Sequence, residues 1–148
     1  VTMAVFTMTK AYSTHPHMRM TDVTGDFQQA LAQAGLGSGI ITGFTPGGTA
    51  ALTILEFEPG LVGTDLREAL DKIAPYRDAS GRVIDYRHHD TWHDDNGSSH
   101  IKAALLSPSV TIPFVAGAMT LGPWQSVALV ECDTRARTRK IVFQVMGE

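Results

Sequence analysis

Residues 125–147 read "QSVALVECDTRARTRKIVFQVMG". Two runs rich in Val, Ile, Leu and Phe flank a basic segment, and each has strand length and strand composition. The spacing predicts two strands, with "RARTRK" at 135–140 as the solvated end of a hairpin between them. As a duplex-binding patch the same six residues are weak. They feed straight into an apolar strand, and the chain carries a net charge of −3.

Working outward from there, "VTIPFV", an Ala-Gly turn and "AMTLGPW" make the whole C-terminal third β. At the other end "MAVFTMTK" reads as a strand, followed by the turn region "YSTHPHMRMTDVTGD". A helix runs from Thr24 or Asp26, with Phe27, Ala30, Leu31 and Ala34 on one face and Gly35 as its stop. "SGIITGFT" and "AALTILEFE" read as strands joined through the turn "PGGT". "TDLREALDKIAPY" is the clearest helix, capped at Gly63 or Thr64, with Leu66, Ala69, Leu70 and Ile73 as its stripe and Pro75 at its end. "HIKAALLSPS" reads as a short helix or a strand-to-turn piece. About six strands and two or three helices without regular β–α alternation predict one α+β domain over 1–148, with a mixed sheet.

Composition narrows the classes. Hydrophobic residues make up 43% and charged residues 18% of 148, an ordinary globular balance. Cys132 is the only cysteine, so no intrachain disulfide can form, and its place at a strand end favours a structural thiol over a nucleophile. No apolar run reaches membrane-spanning length and no charged-then-apolar leader opens the chain. The expectation is a cytoplasmic protein that engages neither membrane nor nucleic acid.

Chemistry concentrates in "YRHHDTWHDDNGSSH" at 86–100, which holds four of the six histidines. His89 and His93 stand four apart, but the turn chemistry of "HDDNGSS" weakens a helical reading of that pair. With no paired thiols, a structural zinc finger is excluded. Imidazoles among carboxylates suit zinc, nickel, manganese or iron, with magnesium possible where oxygens dominate. A polar surface loop rich in histidine is the competing reading. Glu56 shares a strand face with Leu52 and Ile54. It either follows them inward, where a carboxylate needs a partner, or marks the strand's emergence into solvent.

In order, "PGGTAALTILE", "DL" at 65–66, "YRH" at 86–88, "NGSSHIKAALLSPS", "LGPWQSVAL" and "RKIVFQVMGE" strongly resemble the YjbQ-like family of secondary thiamine-phosphate synthase enzymes. The resemblance spans nearly the whole chain. It implies a compact α+β domain with a bent, barrel-like sheet, assembled as a homotrimer. It also implies a divalent metal ion (zinc, nickel, manganese or magnesium) held by three histidines. Two of these map onto His88 and His100, while the first falls on Gly47, where the family's histidine-threonine pair is replaced by Gly47-Gly48. His93, His89 or Glu56 are the possible substitutes. Glu56, Asp65 and Arg139 map onto the family's acidic and basic positions and are the candidate catalytic residues. Trp124 and Gln125 map onto its tryptophan-glutamine pair, with Trp124 expected as a core or pocket-wall aromatic. Lys102 is a further candidate anion partner. Ser98 stands where close relatives often carry histidine, Ser107 where glycine is usual and Pro123 where threonine is usual.

The implied function is a metal-assisted transferase or hydrolase acting on a small phosphorylated heterocycle. The alternative is a non-catalytic trimeric module that binds a metabolite or partner and has lost part of the metal site. "PGG" is either a simple tight turn or a backbone nest for an anion.

Overall fold

The computed structural model describes residues 1–148. The chain runs β1 (Ala4–Ser13), β2 (Arg19–Asp22), α1 (Thr24–Ala34), β3 (Gly39–Phe44) and β4 (Ala50–Leu55). A π-helical turn (Leu61–Asp65) leads into α2 (Leu66–Ile73), followed by the single-turn α3 (His89–Trp92) and α4 (Gly97–Leu106). The remainder is β5 (Ser109–Val115), β6 (Ala118–Met119), β7 (Ser126–Glu131) and β8 (Thr138–Gly147). This is the expected single α+β domain with a curled sheet, carrying four helices where two or three were expected.

The two C-terminal strands do not form the expected hairpin. β7 is the middle strand of a three-stranded sheet ordered β2-β7-β4, and β8 lies between β1 and β3 in a five-stranded sheet ordered β1-β8-β3-β5-β6. The basic segment carries the chain from one sheet to the other. Every pairing is antiparallel, which corrects the mixed sheet that was expected.

The physical reason lies in the two burial patterns. β8 alternates, with Arg139, Ile141, Phe143 and Val145 inward and Lys140, Gln144 and Met146 outward. That is the signature of a sheet with one covered face. β7 is buried continuously from Val127 to Glu131. Val127 and Leu129 enter the main core with Phe27, Leu31, Ile41, Leu52, Ile141 and Phe143. Val130, with Cys132 just beyond the strand, joins a second core of Met18, Ala51, Leu70 and Ala103. A strand covered on both faces needs neighbours on both edges, so β7 occupies the centre of its own sheet.

Helix α1 docks as its periodicity predicts: Phe27, Ala30 and Leu31 are buried. Phe27 meets Phe143 edge-on, with centroids 4.9 Å apart at 83°, a contact worth about 1 kcal/mol beyond burial. Gly43 makes room for it, since a Cβ there would fall 2.3 Å from Phe27 Cζ.

The stripe on α2 is narrower than expected. Leu70 is buried and Leu66 half-buried, but Ala69 is exposed and Ile73 is 65% exposed. Neither Gly63 nor Thr64 caps it, because the π-helical turn runs continuously into the helix. No helix is long and apolar enough to cross a membrane.

Candidate functional site

The quoted histidine stretch folds back on itself. His88 directly precedes α3, and His100 sits in the first turn and a half of α4. The return rests on two local features. His93 adopts a left-handed conformation (φ 55°) that ends α3 after one turn. Gly97 opens α4 where a Cβ would fall 2.5 Å from Tyr86 Cβ and 3.3 Å from His88 Cβ. The Asn-Gly pair is therefore a close approach of two segments. The result is that the His88 and His100 rings lie 4.3 Å apart, tilted by 35°.

Around this pair the polar groups are unevenly satisfied. Asp94 Oδ1 lies 3.0 Å from His88 Nδ1, yet the two are not aligned as a hydrogen bond and neither buried atom has another partner. Burial, and then the neighbouring His88, push His100 below the ordinary histidine range, against the opposing pull of Asp133 and Asp94. These surroundings bias His100 toward its neutral form, the form that donates a lone pair.

Beneath the pair lies a buried ionic network on the inward end of β8. Arg139 donates through Nε to Glu131 Oε2 (2.7 Å) and through Nη2 to Glu131 Oε1 (2.6 Å) and Thr49 Oγ1 (2.6 Å). Glu131 also accepts from Thr14 Oγ1 (2.6 Å) and the Asp133 N–H (3.0 Å). Asp133 accepts from Thr49, Asn96, Arg137 and the Thr134 N–H. Burial alone would raise the Asp133 carboxyl, but these hydrogen bonds outweigh it and hold Asp133 below the usual carboxylate range.

The "PGG" turn covers both clusters. A Cβ on Gly47 would lie 2.9 Å from Arg139 Nη1, and one on Gly48 would lie 3.0 Å from His100 Cε1 and Nδ1. Gly47 has φ +141°, a conformation that side-chain-bearing residues rarely adopt. The Arg139 guanidinium therefore packs against Gly47 through Nη1, the one of its nitrogens that has no hydrogen bond.

The remaining sequence candidates stand elsewhere. Glu56 follows the end of β4 and is exposed, so the strand has emerged into solvent there. Asp65 is exposed at the end of the π-helical turn. His89 pairs through Nδ1 with the Asp94 carbonyl (2.6 Å), and the exposed His93 packs edge-on against the His89 ring. Neither turns its ring onto the His88–His100 pair. Trp124, expected in a core or pocket wall, is 74% exposed, because the Gly122–Gln125 turn lifts it off the sheet. Cys132 is buried and its thiol is pushed up to about 12, which makes it structural. No three His, Cys, Asp or Glu side chains converge as a ready-made metal cage.

Sequence reasoning missed Asp94, Glu131, Asp133 and Thr49. The available signal was "VECD", two carboxylates flanking a cysteine at the end of a continuously apolar strand.

The comparisons with known proteins agree with this fold. The family model described as "UPF0047 protein YjbQ-like" matches residues 8–148. A UPF0047 protein of Methanothermobacter thermautotrophicus is 34% identical over the whole chain and 96% of its own length. One from Archaeoglobus fulgidus is 31% identical over 90% of this chain and 95% of its own. The crystal structure of a YbjQ-like protein of unknown function from Sulfolobus solfataricus P2 superposes with a TM-score of 0.88 at 26% identity, covering 99% of this chain and all of that one. A hypothetical protein from Aeropyrum pernix K1 gives 0.84 at 27% identity, covering 97% and 99%. The chain belongs to the UPF0047 YjbQ-like family.

Proposed function

We propose that this protein is a metal-assisted transferase or hydrolase acting on a small phosphorylated molecule. The observation that carries the reading is the facing pair His88 and His100, 4.3 Å apart, with the orphaned Asp94 carboxylate beside His88. The residues fit a divalent ion in a specific way. His100 is biased toward its neutral form, and Asp94 can fix the His88 tautomer through Nδ1, leaving Nε2 as donor, the usual arrangement of an outer carboxylate behind a ligating imidazole. Zinc, nickel and manganese suit that donor set, and magnesium requires more oxygen. Two imidazoles leave about two of four positions for water and substrate oxygens. When bound, the ion polarises a phosphoryl oxygen or activates water.

The chain's own groups do the rest. Arg139 Nη1, which lies against Gly47 and has no hydrogen-bond partner, donates to a phosphate oxygen that reaches it past the "PGG" turn. Glu131 locks the guanidinium in place so that this donor needs no reorganisation. A cavity of about 230 Å³ lined by Asp85, Asp94, Asp95 and His89 supplies a negative approach for the cation. Joining a pyrimidine diphosphate to a thiazole phosphate is one reaction of this class to assay. Glu56 and Asp65 would act only if a substrate or neighbouring subunit reaches them.

The test is elemental analysis and activity together. The chain should carry about one divalent ion, lost in His100→Ala, with phosphoryl-transfer or phosphatase turnover lost in parallel. Wild-type protein that takes up no zinc, nickel, manganese or magnesium would overturn the metal.

A second reading, a non-catalytic trimeric binding module, is favoured by one observation. The outward face of the five-stranded sheet exposes Val5, Ile40, Phe44, Val115 and Met146 with no helix over it, a patch suited to self-association. Light scattering that shows a trimer, together with silent metal titrations, would select this reading.

A further inference from the structure

A cavity of about 650 Å³ lies apart from the histidine pair and is lined by neither His88 nor His100. It lies between α2 and α4, and its lining is cationic: Arg67, Lys72, Arg77 and Lys102 against the carboxylates of Glu68 and Asp71. That is a local excess of positive charge on a chain whose net charge is −3.

At its floor sits the first turn of the ten-residue helix α4, whose N-terminus has no side-chain cap. The Gly97 and Ser98 N–H groups have no acceptor within the chain, whereas those of Ser99 and His100 donate to the Asn96 carbonyl (3.0 and 3.3 Å), and such leading N–H groups carry partial positive charge. Ser98 and Ser99, on that turn, are only 2% and 1% exposed and both line the cavity. Neither hydroxyl has a hydrogen-bond partner within the chain, and each opens onto the cavity instead of being sealed in the core. Lys102 follows one turn later on the same face. Its ammonium is buried, with 6% of the side chain exposed, and is neutralised by Asp71, whose own side chain is 43% exposed. A buried lysine thus reaches out to a carboxylate that stands half in solvent. Arg67 and Lys72 form no ion pair within the chain.

We propose that this cavity is an oxyanion site, taking a phosphate or carboxylate group on the Ser98 and Ser99 hydroxyls, Lys102 and the Gly97 and Ser98 N–H groups, with Asp71 acting as an internal stand-in for the ligand. Arg67 and Lys72 at the cavity wall draw the anion in. The entering group takes over the hydrogen bonds of Lys102, and Asp71 relaxes into water, where its exposure makes release inexpensive. The site is separate from the His88–His100 pair and does not rest on the reading given for it.

The experiment is calorimetric titration of the chelator-treated full chain with inorganic phosphate and, in parallel, with succinate. Backbone amide NMR locates the binding. The two arms distinguish a tetrahedral from a planar oxyanion, and saturable binding of either one at Gly97–Ser99 supports the site. Ser99→Ala and Arg67→Gln should each weaken binding roughly tenfold. Asp71→Asn should strengthen it by a similar factor, because Lys102 then lacks its internal partner. Circular dichroism checks that each variant is folded. The proposal is overturned if neither anion binds, if all three variants bind like the wild type, or if the amide shifts centre on Gly47–Thr49.

Discussion

Two polar clusters lie against one another under the "PGG" turn, and they differ in a single respect. In the Arg139–Glu131–Asp133 cluster nearly every buried donor and acceptor is matched. In the His88–Asp94 cluster the facing atoms are close but unmatched. A satisfied buried network holds structure together, whereas an unsatisfied one keeps bonding capacity for something that is not protein. The first cluster is thus built as a scaffold, and the second is where the proposed function places its metal ion.

The sharpest way to break that contrast is Arg139→Met. It strands Glu131 as a buried, unpaired carboxylate and should cost about 3–5 kcal/mol in urea unfolding. A loss below about 1 kcal/mol would remove the scaffold role. Thr49→Val comes next: its hydroxyl links Arg139 to Asp133, and its loss should cost about 1–3 kcal/mol. Gly47→His puts an imidazole back where the family resemblance expects one. It should add metal affinity while destabilising the fold by about 1–3 kcal/mol, given the positive φ and the close Arg139. Unchanged metal uptake would show that position 47 does not face the histidine pair.

Acid titration sharpens the same contrast. Asp133 is more acidic folded than unfolded, so the unfolded chain takes up its proton first as pH falls. Its contribution is complete above about pH 4 and is lost as pH drops through the lower folded value. Asp133→Asn should flatten that acid limb of the denaturation curve. The smallest stability effect belongs to Asp94→Asn, within about 0.5 kcal/mol, while metal affinity falls roughly 10- to 100-fold. A large stability loss without a metal effect would reassign Asp94 to the scaffold.

Much of the architecture was legible. Phe27, Ala30 and Leu31 recur at helical spacing and are buried together, and Arg139, Ile141, Phe143 and Val145 recur at strand spacing and face inward together. Local periodicity records which face of an element is covered. It does not record which element covers it, so two adjacent strands with a turn between them looked like a hairpin. Glu56 stood open between two readings for a related reason. Alternation continues in sequence after the strand has left the sheet, and only the end of β4 at Leu55 shows where inward ceases to have meaning. Trp124 was expected inside on its residue type, yet the turn that carries it points into solvent.

By itself the sequence determined most of the elements, the family and the gathering of histidines in one stretch, because these depend on spacing and residue type along a continuous stretch. Only the tertiary structure decided that β7 and β8 part company and that Glu131 and Asp133 lie beneath those histidines. It alone showed that Asp94, rather than Glu56 or His93, stands against His88. Such meetings join positions remote in sequence, and they depend on how two sheets and four helices share buried volume, which no local pattern encodes.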